Sequence, residues 1–267
     1  MRKIEDIQEL RNIQIGIMDS IHAFCVAHNI KYSLAGGTLI GAFRHQGYIP
    51  WDDDIDIYLM RCDYERFLRE YHDTSGRYRL LSPDTTEHYF YTFAKVIDTQ
   101  TVMHEDETEG FEIGVYVDVF PLDYVPDDMK TRRRVFWWKH MLYKIRRCKM
   151  SNIVYLRSAL AFYCYRYLPV TVGFIDRLIE RHIHRRRPSG FICEMCETDR
   201  PLKGCYSVQA FAETFDVPFE GRTYKAMKGY DEYLANTYDD YMSLPPEDQR
   251  VQHQFKAYWR SDVICKY

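Results

Sequence analysis

A chain of 267 residues, 46% of them hydrophobic, can bury a substantial core, which excludes disorder as the default and suits one large domain with an added helical region. The net charge of −3 conceals an asymmetry: residues 131–187 carry 15 Lys or Arg against two acids, so this segment holds +13 and the remainder −16. No stretch reaches the roughly 18 to 20 apolar residues of a membrane-spanning helix, and the nearest, 153–175, is broken by Arg157, Arg166 and Pro169.

The opening MRKIEDIQEL lacks the apolar centre of a signal peptide, so the eight cysteines are expected to be free thiols in a reducing cytoplasm. Ile4, Ile7, Ile13, Ile17, Ile21 and Phe24 recur mostly at three- and four-residue intervals and predict an amphipathic helix over 4–28, stopped at Asn29. KYSL then reads as a short strand, Gly36 and Gly37 as a turn, and the next residues as helical. After the turn-rich RHQGYIPWDD, residues 55–59 alternate as a strand does, and Asp63 is placed to cap a helix over YERFLREY. Further strands are predicted at 78–81, 90–97 and 114–120, the last closed by Pro121.

From Thr131 to Arg187 the pattern is helical and basic, with Trp137, Trp138, Tyr143, Tyr155 and Tyr167 among the cations. Nucleic acid is a poor partner for it, since no recognised binding module accompanies the charge. Two readings stand: peripheral contact with an anionic membrane surface, or a helical layer packed over the sheet. A loop-rich tail follows, with one short helix ending at Pro245-Pro246. Within it Cys193, Cys196 and Cys205 resemble part of a zinc site, with His182 or His184 as a fourth ligand. The organisation is one domain over 1–267: a core at 1–127, the basic aromatic region at 128–190, and a completing part at 191–267.

The chemistry concentrates in WDDDIDIYL. Strand parity puts Asp54 and Asp56 on one face and turns Ile55 and Ile57 inward. Two carboxylates about 7 Å apart repel unless a cation lies between them; Mg²⁺, or Mn²⁺, is the hard ion that phosphates usually complete. Val117-Asp118-Val119 repeats the pattern, and on an adjacent strand Asp118 would face the same ions. Asp52 shares the parity but precedes the strand, so it is either an outer ligand or a turn residue; Asp53 points the other way and is structural. A calcium loop is excluded because Ile57 stands where glycine must turn. A sugar-nucleotide transferase needs only two carboxylates, but Gly36-Gly37-Thr38 before a helix start favours phosphate contact.

A glycine pair, then two spaced aspartates in a strand, then a third, is the pattern of the nucleotidyltransferase superfamily. GGTLIGAFRHQGYIPWDDDID resembles the signature of the LicD family, phosphocholine transferases that include fukutin-like proteins. The resemblance extends to VDVFPLDYVP at 117–126 and YDEYLANTYDDYMSLPP at 230–246, and departs at Asp239, where the family commonly has glycine. It implies an α+β fold, a polymerase-β-like core with a mixed sheet. It implies transfer of a phosphorylated alcohol from a CDP-activated donor to a sugar hydroxyl of a cell-surface glycan, at the cytoplasmic face of a membrane. Asp54, Asp56 and Asp118 would then hold metal, and Asp118 would accept the hydroxyl proton. Arg44 and His45, inside the motif, are either donor-phosphate contacts or a surface pair after a helix, and Lys95, in its strand, is either another such contact or a solvated cation. Two other readings remain: nucleotidyl transfer from a triphosphate with release of pyrophosphate, and a non-catalytic membrane or glycan-binding module.

Overall fold

Asp6 decides where the first helix begins, because its carboxylate accepts the Gln8 N–H at 2.9 Å and so caps the free amides. In the computed structural model, which describes residues 1–104, 113–151, 153–184, 186–197, 203–246, 250 and 255–260, α1 (Ile7–Ala27) therefore starts later than periodicity predicts. Asn29, at φ 52°, ends it as expected. The residues before the cap form β1 (Arg2–Ile4) instead.

The central sheet has seven strands. Its main path runs β2 (Tyr32–Leu34), β3 (Asp56–Met60), β7 (Tyr116–Val125), β5 (Ala94–Asp98) and β4 (Tyr78–Leu81). Only β3 and β7 are parallel, so the sheet is mixed and the class is α+β. Helix α2 (Gly36–His45) connects β2 to β3, and α3 (Arg61–Glu70) leaves β3. The α3 cap differs from expectation: Met60 precedes the helix and Asp63 lies inside its first turn, where its charge still meets the positive helix end. Inward side chains of β3 and β7, Ile57, Leu59, Val117 and Val119, are wholly buried, each worth about 1.5 to 3 kcal/mol of transfer free energy.

Pro121 does not close β7, which runs on to Val125. On one edge β7 pairs with β5 as far as Val119 and with β8 (Phe191–Glu194) from Leu122 onward. Pro121 stands at that change of partner, where its missing N–H leaves no ladder bond unmade on that edge. Strand β9 (Cys205–Ser207) extends the sheet beyond β8, so the C-terminal part completes the N-terminal sheet. Beyond Pro121, Asp123 is wholly buried and takes a two-pronged ion pair from Arg61 at 2.7 and 2.6 Å.

The basic region forms α4 (Met129–Met150), α5 (Ala159–Arg166) and α6 (Val172–Ile179). Val135, Phe136, Leu142, Ile175 and Ile179 pack with Val125 and Met195 in a second core, so a helical layer does cover this end of the sheet. Trp137 and Trp138 stay out of it, 56% and 50% exposed. Among the described residues no helix is long and apolar enough to cross a membrane.

The tail holds more structure than its composition suggests. A hairpin of β10 (Thr214–Phe219) and β11 (Arg222–Met227) turns at Glu220-Gly221, both at positive φ, and Met227 N–H donates to Ser33 Oγ at the β2 edge at 2.8 Å. Helix α7 (Tyr230–Tyr238) follows, and it ends well before the proline pair. A small sheet joins β1, β12 (Ala257–Trp259) and β6 (Thr101–Met103).

Candidate active site

The aspartate loop is held from below by two polar residues on the buried face of α1. Arg11 Nη2 donates to the carbonyls of Ile49, Pro50 and Asp52 at 3.0, 3.2 and 2.7 Å, and Gln14 Nε2 donates to Asp53 O at 2.7 Å. The loop's burial alternates, with Asp53, Ile55 and Ile57 buried and Asp52, Asp54 and Asp56 half-buried on the other side. The parity read from sequence is therefore kept.

Strand pairing brings the third acid in. Asp118 stands opposite Asp56 in the parallel register of β3 and β7, and its N–H donates to Ile55 O at 2.9 Å. Lys95 stands opposite Asp118 on the other side, in β5. Its ammonium, 2% exposed and 3.4 Å from the Tyr116 ring centre, donates to Asp118 Oδ1 at 2.7 Å. Where the sequence suggested a phosphate contact for Lys95, the structure gives it a carboxylate.

Burial and the gathering of negative charge, which Lys95 and Arg11 only partly oppose, push the carboxyls up. Burial, then Asp54 and Asp118, raises Asp56 well above the ordinary range. Burial raises Asp118 to about 6, with Lys95 opposing. Burial and Asp54 raise Asp52 to about 8. Uncompensated carboxylate oxygens on one face suit a hard divalent cation. Among the described residues the acids that form such a group are Asp52, Asp53 and Asp54, one carboxylate oxygen of each lying within 4.8 Å of the others. Asp52 thus sits beside Asp54, and Asp53 comes within reach of both although its burial keeps it on the opposite face; Asp56 and Asp118 are not in that group.

The glycine turn closes the other side. Gly36 has φ +52°, and a Cβ there would stand 3.0 Å from Asp56 Oδ2; one on Gly37 would stand 2.6 Å from Asp52 Oδ2. Thr38 Oγ1 accepts the Asp56 N–H at 2.9 Å. Both glycines are therefore fitted to the carboxylates, and Thr38 to the Asp56 backbone, at the start of α2. Arg44 and His45, at its far end, serve otherwise: Arg44 Nη1 donates to the carbonyls of Tyr241 and Ser243 at 2.9 and 3.1 Å, and Nε to His45 Nε2 at 3.0 Å.

Sequence reasoning missed several neighbours. Tyr233, on α7, accepts the Gly36 N–H at 3.2 Å and donates to Tyr58 Oη at 3.2 Å. The Tyr238 hydroxyl would lie 3.5 Å from a Cβ on Gly36. Both belong to YDEYLANTYDDY, so the motif was visible but its destination was not. Glu197, beyond β8, is raised to about 7 by burial, Glu194 and Asp118. The three thiols do not converge: Cys193 and Cys205 pair across β8 and β9, while Cys196 packs with Phe93 and Phe120. Strand direction separates them, and the zinc reading loses its ligand set. The described cysteines are free.

The chain matches the family described as LicD/FKTN/FKRP, nucleotidyltransferase domain, over residues 29–156. It is 30% identical to the lipopolysaccharide cholinephosphotransferase LicD of Haemophilus influenzae, over 97% of this chain and 99% of that protein. An uncharacterised protein of Rickettsia prowazekii is 29% identical over 51% of this chain and 46% of its own length.

Proposed function

The chain belongs to the LicD family, and on that premise we propose that it moves a phosphorylated alcohol, phosphocholine first, from a CDP-activated donor to a sugar hydroxyl of a glycan. The observation that carries this reading is the register of Asp56 against Asp118, with Asp54 just upstream. These three carboxylates would hold Mg²⁺ or Mn²⁺, with Asp52 beside them. A bound divalent ion neutralises pyrophosphate charge and favours in-line displacement.

The chain's own residues do the rest. The turn at Gly36 and Gly37 and the N-terminus of α2 favour the donor phosphates through amides and dipole. The sugar oxygen attacks the phosphorus that bears the alcohol, the bond from that phosphorus to the bridging oxygen breaks, and CMP leaves. Asp118 takes the hydroxyl proton, held in place by Lys95 on its Oδ1. Lys95 thereby acts on catalysis by fixing the base.

Product analysis tests the proposal. With CDP-choline and a glycan acceptor, metal-dependent formation of CMP in step with phosphocholine on the sugar supports it. Pyrophosphate from a nucleoside triphosphate would instead establish nucleotidyl transfer. Failure of Mg²⁺ and Mn²⁺ to bind, measured by calorimetry with and without CDP donors, would leave a non-catalytic module.

A further inference from the structure

Beside the Lys95–Asp118 pair, between α4 and residues 90–93, lies a cavity of about 480 Å³, a size usual for small-ligand sites. Its walls reach Lys95. Tyr91 and Phe93, which line it, place their ring centres 4.3 and 5.2 Å from the Lys95 ammonium. Glu197 lines it too, and its carboxylate is close enough to Asp118 for their charges to interact. A ligand here lies against the rings that cover Lys95, the partner of the group assigned to accept the hydroxyl proton.

Aromatic walls invite two kinds of ligand, a quaternary ammonium or a sugar ring. The first is disfavoured because the faces already carry the chain's own cations. Besides Lys95 on Tyr91, Lys139 lies 5.2 Å from the Tyr143 ring centre and Arg147 4.4 Å from that of Tyr155. A second cation would meet repulsion at each of them.

The basic lining, Lys139, His140, Lys144, Arg146 and Arg147 against Glu197, points the other way. Lys144, half-buried on the same wall, has no acceptor for its ammonium among the described residues. Tyr91 lines the cavity with its ring, and its hydroxyl is closed off in the interior. Arg146, by contrast, is committed: it donates to Asp176 at 2.7 Å and to Tyr89 O at 3.1 Å, fixing the wall's shape. We propose that this cavity is the acceptor subsite and takes a sugar bearing a phosphate or carboxylate, its ring against the aromatic walls and its anion on Lys144. The word acceptor rests on the phosphotransfer reading; the binding of an anionic sugar does not.

Calorimetry on the full chain, without donor or metal, tests the cavity with glucose 6-phosphate, glucuronate and glucose as probes. A charged sugar should bind at least about tenfold more tightly than glucose, and Lys144→Ala should remove that advantage while Lys144→Arg keeps it, as a charge-assisted hydrogen bond predicts. The phosphate and carboxylate arms decide which anion is preferred. In the transfer assay Lys144→Ala should raise the KM for a charged acceptor and leave that for CDP-choline unchanged. Equal binding of charged and neutral sugars, unchanged binding by Lys144→Ala, or a loss confined to CDP-choline overturns the proposal. Should CDP-choline yield no CMP while charged sugars still bind through Lys144, the phosphotransfer reading falls and the cavity stands as an anionic-sugar site.

Discussion

Asp56 and Asp118 are cross-strand partners in the one parallel pairing of the central sheet, and only Asp118 has a buried cation, Lys95, as its partner on the other side. The two acids therefore answer differently to the same substitution. Asp56→Asn removes a repelling charge and should leave the fold as stable or raise its melting temperature, while lowering turnover by about 10²-fold or more. Asp118→Asn weakens the partner of a buried ammonium and should cost several kcal/mol, about 3 to 5 being usual when a buried pair is broken. Thermal unfolding beside a CMP-release assay reads both. Full activity in Asp56→Asn would remove the metal-site assignment.

Metal affinity should rise with pH, and the sign follows from the carboxyls. Asp52 at about 8 and Asp118 at about 6 stand above the ordinary 3.8, so the folded state keeps protons that the unfolded chain has already released. Their contribution to stability is therefore lost as pH climbs from about 4 through those values. A bound divalent ion displaces these protons, so the rise in melting temperature given by Mg²⁺ should be larger near pH 8 than near pH 5. A Mg²⁺ effect that is equal at both, or larger in acid, contradicts the site.

Asp239 ends α7 at φ 58° and ψ −116°, a conformation that glycine takes freely and other residues take at a cost of about 1 to 3 kcal/mol. The Lys203 ion pair that Asp239 makes is exposed and offsets little of this. Asp239→Gly should therefore stabilise the protein by about 1 kcal/mol. Chemical denaturation measures it, and an unchanged or lower midpoint would show that the strain is relieved in solution.

How much of this was legible depends on the range of the signal. Asp56 and Asp118 announce themselves locally, because each sits between apolar residues whose parity fixes its face, and Asp54 shares that face two residues before Asp56. Asp118 as the neighbour of Asp56 needed only one further step, strand adjacency. Arg11 and Gln14 were hidden on the apolar stripe of α1, where polar residues look like breaks in a pattern and not like donors to a loop some forty residues on. The β10 and β11 hairpin was overlooked although Phe215, Val217 and Phe219 alternate before Glu220-Gly221. Arg44 shows the opposite limit: its place in the motif carries no sign that its Nη1 donates to the backbone carbonyls of Tyr241 and Ser243.

The charge asymmetry also acquires a place. Trp137 and Trp138 are exposed side by side on α4, the helix that begins the basic region, and Leu160 and Tyr167 are 76% and 75% exposed on the neighbouring α5 and its cap. Aromatic rings of this kind settle at the membrane interface while Lys and Arg meet anionic lipid headgroups. The protein should float with vesicles rich in phosphatidylglycerol and not with phosphatidylcholine alone, and added salt should weaken the association because the cations supply part of it. Trp137→Ala with Trp138→Ala should reduce binding to the anionic vesicles without moving the melting temperature, since neither ring contributes to the second core. Equal flotation with both lipids, or binding that survives loss of both rings and high salt, would mean that this face serves some other contact.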